Sequence, residues 1–246
     1  MDIKTIISKI KAILRGERPI IKRPVNSFLH KVSGVIHVGA NSGQERETYE
    51  MHGLRVFWVE PIPEMFSELQ ENIRSYPQQR AGNYLVSDQD GKEYQFHIAN
   101  NKGESSSIFD LKHHKDIWPK IDYERSITLK SKTLPAVLMA ENVDPNLYDA
   151  LVMDTQGAEL LILKGAQSLL ENIRFIKLEV PDFEAYEGCC QLSEVEDFMS
   201  VFGYKEYARY KFKQWKQEGG YYDIVFCKNI WLTFWRKINN TYGKIA

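Results

Sequence analysis

The apolar run at residues 32–38, which ends in the turn Gly39-Ala40-Asn41-Ser42-Gly43, constrains the fold more than any other feature of the sequence. The run is rich in β-branched residues and does not alternate regularly with polar ones, which is typical of a parallel strand buried on both faces. The two glycines permit a tight turn and the close approach of a ligand to the start of the next helix. The sequence therefore predicts an α/β sheet with a ligand site where this strand ends.

The residues that follow alternate between strand and helix patterns. Further strands are predicted at residues 55–60, 83–87, 148–153 and 175–180, and helices at 44–51, 61–73, 158–170 and 193–202. Strands near 204–210 and 221–227 are separated by too few residues for a helical crossover, so we expect them to pair antiparallel. Residues 93–99 are predicted to form a hairpin with the third strand. One domain over residues 32–228 follows, with a mostly parallel sheet and an antiparallel strand at one edge.

Both ends of the chain are basic. Residues 1–31 carry eight Lys or Arg against two acids and predict an amphipathic helix and a linker, and residues 229–246 form an aromatic, basic tail without an acid. We expect these ends to contact an anionic membrane, a second subunit or the domain itself. The whole chain has 32 Lys plus Arg against 33 Asp plus Glu, which argues against a nucleic-acid partner.

The sequence also predicts a location. No stretch approaches the roughly 18 consecutive apolar residues of a membrane-spanning helix, and lysines interrupt the isoleucines of residues 1–11. Of the three cysteines, Cys189 and Cys190 are adjacent, so they do not form the spaced, even set of a secreted disulfide protein. We therefore expect a cytoplasmic protein with reduced thiols, either free or held at the inner face of the membrane by its basic ends.

Glu60 ends the second predicted strand, 21 residues after Gly39. At this separation in an open α/β sheet, a carboxylate accepts hydrogen bonds from both hydroxyls of a bound ribose, which predicts an adenosine-containing ligand. Asn41 stands in place of the middle glycine of a dinucleotide fingerprint. A nicotinamide-dependent oxidoreductase would reuse Gly39, Gly43 and Glu60, so these residues alone leave that class open.

Longer segments narrow the family. They are VIHVGANSGQE (35–45), VEPIPEMFSELQENI (59–73), VSDQDGKEYQF (86–96), YDALVMDTQGAELLILKGAQSLL (148–170) and FIKLEV (175–180). In order and spacing they resemble the FkbM-type methyltransferases, and the most specific part is DTQGAE at 154–159 followed by LKGA at 163–166. The resemblance implies a class I, Rossmann-like fold with a seven-stranded, mostly parallel sheet in three αβα layers. It also implies an S-adenosylmethionine-dependent methyltransferase.

The resemblance further implies which residues bind the donor. It places Gly39, Asn41 and Gly43 near the amino-acid moiety of the donor. It places Glu60 on the ribose, and Ser87 and Asp88 beside the adenine. His37 stands where family members commonly carry an acidic residue. Its side chain either packs into the sheet or approaches the methionine ammonium, which a neutral imidazole holds less well than a carboxylate.

Three carboxylates are candidates for the chemistry. Asp154 ends the strand at 148–153 beside the turn glycine Gly157, and we expect it to accept a proton from the methyl acceptor. Glu159 falls in the first turn of the next helix, where it either faces the acceptor or stabilises the helix start. Glu179 closes the fifth strand and either contacts the acceptor or orients a neighbour.

The polar stretch at residues 100–122 is long for a loop inside a compact domain, and we expect it to cover a cleft. It contains the serine triplet 105–107, which is interpreted as a flexible polar segment, and the pair His113 and His114. Tandem histidines in a polar loop are usually solvated, so no metal is predicted from them. A divalent cation bound through Asp154 is left open.

The predicted activity is O-methyl transfer to a small-molecule or glycan acceptor, and the resemblance favours a sugar hydroxyl of a glycan or glycolipid precursor. Two alternatives remain. The missing central glycine and the segment at 154–159 argue against the nicotinamide-dependent oxidoreductase. The second alternative is a non-catalytic interaction module that docks on a membrane through the two basic ends. Self-association is also left open.

Overall fold

The computed structural model describes residues 23–217 and 219–228. Its strands, in chain order, are β1 (Gly34–Val38), β2 (Arg55–Val59), β3 (Gln79–Gly82), β4 (Leu85–Val86), β5 (Glu93–Ala99), β6 (Tyr123–Lys132), β7 (Ala150–Met153), β8 (Phe175–Pro181), β9 (Tyr204–Trp215) and β10 (Gly219–Lys228). Its α-helices are α1 (Arg46–Met51), α2 (Pro63–Ile73), α3 (His114–Ile117), α4 (Leu134–Ala140), α5 (Glu159–Gly165) and α6 (Leu192–Val201). Short 3-10 helices lie at Val25–Lys31, Pro145–Leu147 and Gln167–Leu169.

Seven strands form one sheet in the order β3-β2-β1-β7-β8-β10-β9. All neighbours pair parallel except β10, which is antiparallel to both β8 and β9. The predicted fold class, a mostly parallel Rossmann-like sheet, is therefore confirmed. The antiparallel strand lies one position in from the edge, because β10 lies between β8 and β9 and β9 forms the edge.

Strand order reverses between β1 and β7, and this switch point sets the position of the site. Val38 is in register with Val59 of β2 and with Met153 of β7. The three residues that come next, Gly39, Glu60 and Asp154, therefore leave the sheet side by side.

Helices cover both faces of the sheet, which completes the predicted three layers. On one face α1, α2 and the 3-10 helix Val25–Lys31 pack against side chains such as Val35 and Val56. On the other face α4, α5 and α6 pack against side chains such as Ile36 and Phe57. Consecutive residues of a strand point to opposite faces of the sheet, so each apolar run is buried on both faces.

The prediction for the third strand was wrong in position. The sheet uses residues 79–82, a polar edge strand without an apolar run, which is why the pattern selected residues 83–87 instead. Leu85 and Val86 pair with β6 in a second sheet of order β4-β6-β5. The partner of β5 is also β6, for which no strand is predicted because seven of its ten residues are polar or charged.

The segment predicted as a linker is partly packed. Phe28 and Leu29, in the 3-10 helix before β1, are buried among the residues of the α1–α2 face. The amphipathic helix predicted before residue 23 and the aromatic tail at 229–246 lie outside the described residues. Between residues 23 and 228, leaving out residue 218, no helix combines the length and apolar character needed to cross a membrane.

This packing predicts that residues 25–31 belong to the folded unit. Phe28→Ala should lower the free energy of unfolding by about 3 kcal/mol, because a fully buried aromatic side chain is lost. His30→Ala, at an exposed position of the same helix, is the matched control and should change it by less than about 0.5 kcal/mol. Urea unfolding of the full chain measures both values. Equal stabilities for the two variants would show that this segment is a linker.

Candidate active site

A cavity of about 590 Å³ lies beyond the carboxyl ends of the strands. Gly39, Asn41 and Glu60 line it from the ends of β1 and β2. Asp154 and Glu179 line it from β7 and β8, on the other side of the switch point. The cavity therefore has two walls, which we call the β1–β2 wall and the β7–β8 wall.

Gly39 is the tightest point of the site. Its φ is +82°, and a Cβ atom there would lie 1.8 Å from the carbonyl oxygen of Asp154. A side chain cannot fit between the ends of β1 and β7, so only glycine permits this approach. The backbone N–H groups of Gly39 and Ala40 both donate to the carbonyl oxygen of Val59, which ties the turn to β2.

Glu60 joins the two loops of the β1–β2 wall. Its Oε2 accepts from the backbone N–H of Asn41 at 2.7 Å, and its Oε1 accepts from the backbone N–H of Ile62 at 2.9 Å. The side chain is buried, and burial raises the pKa of Glu60 to about 7 although these two hydrogen bonds favour the ionised form. The carboxylate is therefore held in position and titrates near neutral pH.

Two of the predicted donor-site positions serve packing. Gly43, with φ of +74°, does not line the cavity, and a Cβ atom there would lie 2.6 Å from Cδ1 of Leu69 in α2. His37 is buried, with its Nδ1 3.1 Å from the hydroxyl of Tyr49 and its ring stacked on Trp58. It also lines the cavity, and burial lowers its pKa, so the imidazole is neutral.

Ser87 and Asp88 are not brought to the cavity. Ser87 is fully buried, and its hydroxyl lies 3.0 Å from Oδ1 of Asp88 and 2.9 Å from the hydroxyl of Tyr94. The reason is the shifted third strand, because β3 already ends at Gly82. The residues that line this part of the cavity are Tyr84, Leu85 and Val86.

Asp154 lines the opposite wall and is oriented by its neighbours. Nε2 of Gln156 donates to Oδ1 of Asp154 at 2.6 Å, and the hydroxyl of Tyr186 donates to Oε1 of Gln156 at 2.5 Å. Gln156 has φ of +51°, in the left-handed region of backbone conformation. Burial raises the pKa of Asp154 to about 7, against the effect of the Gln156 hydrogen bond and with a contribution from the charge of Glu159.

Glu159 does not face an acceptor in this structure, because it is fully buried and outside the cavity wall. Its Oε1 accepts from the backbone N–H and the hydroxyl of Thr155, and its Oε2 accepts from the backbone N–H of Gly157. Of the two roles considered for it, the contacts favour stabilisation of the turn before α5.

Glu179 lines the cavity on β8. Burial raises its pKa well above the ordinary value, and the charges of Asp154 and Asp223 raise it further. No residue of the described chain donates a hydrogen bond to its carboxyl group. Because the charge of Asp154 raises the pKa of Glu179, ionisation of Asp154 favours the protonated form of Glu179.

The polar stretch at residues 100–122 does cover the cavity, as expected. Its serines and one of its two histidines are buried, however, and not solvated. The serines at 105–107 are buried, and the hydroxyl of Ser107 donates to the carbonyl oxygen of Gln156 at 2.8 Å. His114 is only 4% exposed and lines the cavity, whereas His113 is partly exposed and pairs with Asp116. The neighbouring apolar residues Ile117 and Trp118, at helical spacing from His114, are the signal that could have indicated a buried face.

Residues 37–206 match the family described as the methyltransferase FkbM domain. The chain belongs to this family. The predicted family is therefore confirmed, and the activity of the chain is methyl transfer.

The chain is 27% identical over 191 residues to the 2-O-methyltransferase NoeI of Sinorhizobium fredii (strain NBRC 101917 / NGR234), which covers 74% of this chain and 77% of that protein. A similar solved structure is magnesium protoporphyrin IX methyltransferase (ChlM) from Synechocystis PCC 6803, with TM-score 0.47 and 10% identity over 92% of this chain and 79% of that one. Another is an uncharacterized protein from Listeria monocytogenes serotype 4b, with TM-score 0.48 and 12% identity over 90% of this chain and 82% of that one.

The described residues of this FkbM methyltransferase include no group of three or more His, Cys, Asp or Glu side chains arranged to hold a metal ion. Cys189 and Cys190 are buried, and burial raises the pKa of both thiols. They pack close to Gly157 and Glu159 and support the turn after Asp154.

The site geometry predicts an unequal cost of two glycine substitutions. Gly39→Ala should destabilise the FkbM domain by more than about 3 kcal/mol, because backbone strain adds to overlap with the backbone of Asp154. Gly53→Ala is the matched control, since Gly53 also has positive φ but has no atom within 4 Å of the added Cβ, and it should cost only about 1 kcal/mol. Chemical denaturation measures both. Similar losses would contradict the close contact between β1 and β7.

Proposed function

We propose that the chain is an S-adenosylmethionine-dependent O-methyltransferase whose acceptor is a sugar hydroxyl of a glycan or glycolipid precursor. The observation that carries the proposal is the arrangement of one cavity between two walls. The Gly39 turn and the anchored Glu60 form one wall, and the half-buried side chains of Asp154 and Glu179 form the other. Similarity to a protein named as a 2-O-methyltransferase supports oxygen as the attacked atom.

The residues on the β1–β2 wall fit an adenosyl group. The cavity volume of about 590 Å³ lies within the usual range for cofactor sites. The Glu60 carboxylate has acceptor positions left after its bonds to Asn41 and Ile62, which suit two ribose hydroxyls. Tyr84 and Leu85 offer an apolar surface to the adenine in place of Ser87 and Asp88. S-adenosylmethionine, when bound, supplies an electrophilic methyl group whose carbon–sulfur bond breaks with the electron pair remaining on sulfur.

The chain has to align the acceptor hydroxyl and accept its proton. The ionised carboxylate of Asp154 is the proton acceptor, because its pKa of about 7 matches neutral pH and Gln156 holds it in one orientation. Burial and the charge of Asp154 raise the pKa of Glu179 well above its ordinary value, and in its protonated form Glu179 donates a hydrogen bond to an oxygen of the acceptor. The negative charge of ionised Asp154 also attracts a positively charged sulfur to this wall.

The two alternatives gain no support. Membership of the FkbM methyltransferase family accounts for the Gly39 turn and Glu60 without a nicotinamide. The membrane-docked module would depend on the basic ends, most of which lie outside the described residues.

The pKa of Glu60 predicts how donor binding depends on pH. S-adenosylhomocysteine carries no charge on sulfur, so its binding reports on Glu60 more than on the charge of Asp154. Affinity should be full above pH 7 and fall by up to about tenfold per pH unit below it, because protonation removes acceptors for the ribose hydroxyls. Calorimetric titration between pH 5.5 and 8.5 measures this.

Glu60→Gln should bind more weakly and without this dependence, whereas Asp154→Asn should keep it. A Glu60→Gln protein that binds as tightly as the parent, with the same slope, would remove Glu60 from the donor site.

Turnover should depend on Asp154. Asp154→Asn should leave S-adenosylhomocysteine affinity within about twofold and lower kcat by about 100-fold or more, because the amide cannot accept the proton. The assay measures transfer of a radiolabelled methyl group to fractionated cell-envelope precursors. Asp197→Asn, at an exposed position on α6, is the control with normal turnover. Unchanged label transfer by Asp154→Asn would exclude it as the proton acceptor.

A further inference from the structure

One buried polar side-chain atom in the described part of the chain lacks a hydrogen-bond partner, and it is Nε2 of His114. Buried polar atoms are nearly always hydrogen-bonded, so an exception at a cavity indicates a position kept for a ligand group. His114 is 4% exposed and lines the cavity described above. Neither donor binding nor proton transfer, as proposed, uses it.

The imidazole of His114 is fixed by its surroundings. Its Nδ1 lies 2.7 Å from the hydroxyl of the buried Tyr221, and its ring packs at 4.6 Å from the Trp118 ring and 5.0 Å from the Tyr186 ring. If the ring were flipped so that Nε2 formed the hydrogen bond with the Tyr221 hydroxyl, Nδ1 would lose that hydrogen bond. One ring nitrogen therefore remains available whichever way the ring is placed.

Aromatic side chains accompany His114 on the cavity wall. Trp118 follows it at the end of α3, and Phe212 comes from β9. Both pack against Tyr221, with ring centroids 5.2 Å and 5.9 Å away. In the strand order, β9 and β10 lie beyond β8, on the side of the switch point opposite Glu60. This aromatic surface therefore belongs to the part of the cavity away from the proposed donor wall.

We propose that His114, Trp118 and Phe212 form the acceptor subsite, in which a neutral pyranose ring packs on the two aromatic side chains and one ring hydroxyl hydrogen-bonds Nε2 of His114. The inference rests on the proposed function, since it concerns the acceptor half of the same site. His114 binds the acceptor, whereas Asp154 takes its proton.

Four features favour a neutral pyranose. Its axial C–H groups give an apolar face that suits aromatic rings, and its hydroxyls suit an imidazole that can donate or accept. Burial lowers the pKa of His114 to about 4, so the imidazole is neutral and does not call for an anionic partner. The carboxyl groups of Asp154 and Glu179, on the same cavity, disfavour an acidic sugar.

The test measures binding of methyl glycosides of glucose, mannose, galactose and N-acetylglucosamine to the full chain saturated with S-adenosylhomocysteine. Saturation-transfer NMR detects contact with the sugar ring, and calorimetry gives the affinity. At least one glycoside should bind, and Trp118→Ala should weaken that binding by about tenfold or more, since the aromatic contact is lost.

Two substitutions of His114 separate acceptor contact from a structural role. His114→Gln places an amide near the position of Nε2, and His114→Asn places one near Nδ1. We expect His114→Gln to bind the glycoside within about threefold of the parent and His114→Asn to bind about tenfold more weakly, because only the first keeps a group for the sugar hydroxyl. Both should keep S-adenosylhomocysteine affinity. If His114 only supports Tyr221, the order of the two variants reverses.

Each remaining outcome decides the matter. Three results would overturn the acceptor subsite while leaving the donor site intact. None of the four glycosides binds, or a glycoside binds equally well to Trp118→Ala and His114→Asn, or phenol binds in preference to the glycosides. Failure of S-adenosylhomocysteine itself to bind overturns the proposed function instead.

Discussion

The close approach of β1 and β7 is the constraint on which the rest of the site depends. Gly39 has no side chain, so the end of β1 can lie directly against the carbonyl oxygen of Asp154. The register of both neighbours with β1 then places Gly39, Glu60 and Asp154 at one level. Because helices diverge to opposite faces on either side of this point, a crevice opens there without any side chain having to be removed.

Burial determines the chemistry of the crevice. Glu60 is buried and Asp154 and Glu179 are half-buried, and loss of solvation is the main reason that the pKa of each is raised. They differ in their partners: two backbone N–H groups hold Glu60, a glutamine amide holds Asp154, and Glu179 has no donor in the described chain. In the proposed function, one carboxyl group therefore binds the donor on one wall and another accepts a proton on the other.

Much of this could be predicted from the sequence. The apolar runs at β1, β2, β7 and β8 are buried on both faces, so composition alone identified them, and the glycine turn and Glu60 followed from their spacing. The third strand could not be found in the same way, because Gln79–Gly82 is polar and is held as an edge strand by its pairing with β2. That error moved the predicted adenine contacts to Ser87 and Asp88.

The histidine in the polar stretch was missed for a different reason. Local composition indicates solvent around residues 100–122, but burial of His114 depends on Tyr186 and Tyr221, which are far away in the sequence. The role of Glu159 could not be decided from the sequence, because an acidic residue suits both a helix start and a cavity wall. Only its contacts with Thr155 and Gly157 distinguish the two roles.

A crystal structure of the full chain grown with saturating S-adenosylhomocysteine tests the donor site most directly. Both ribose hydroxyls should lie within about 3 Å of the Glu60 carboxylate, and the sulfur should face the wall that carries Asp154 and Glu179. Density for the ligand elsewhere, or a cavity filled by the protein's own side chains, would contradict this placement.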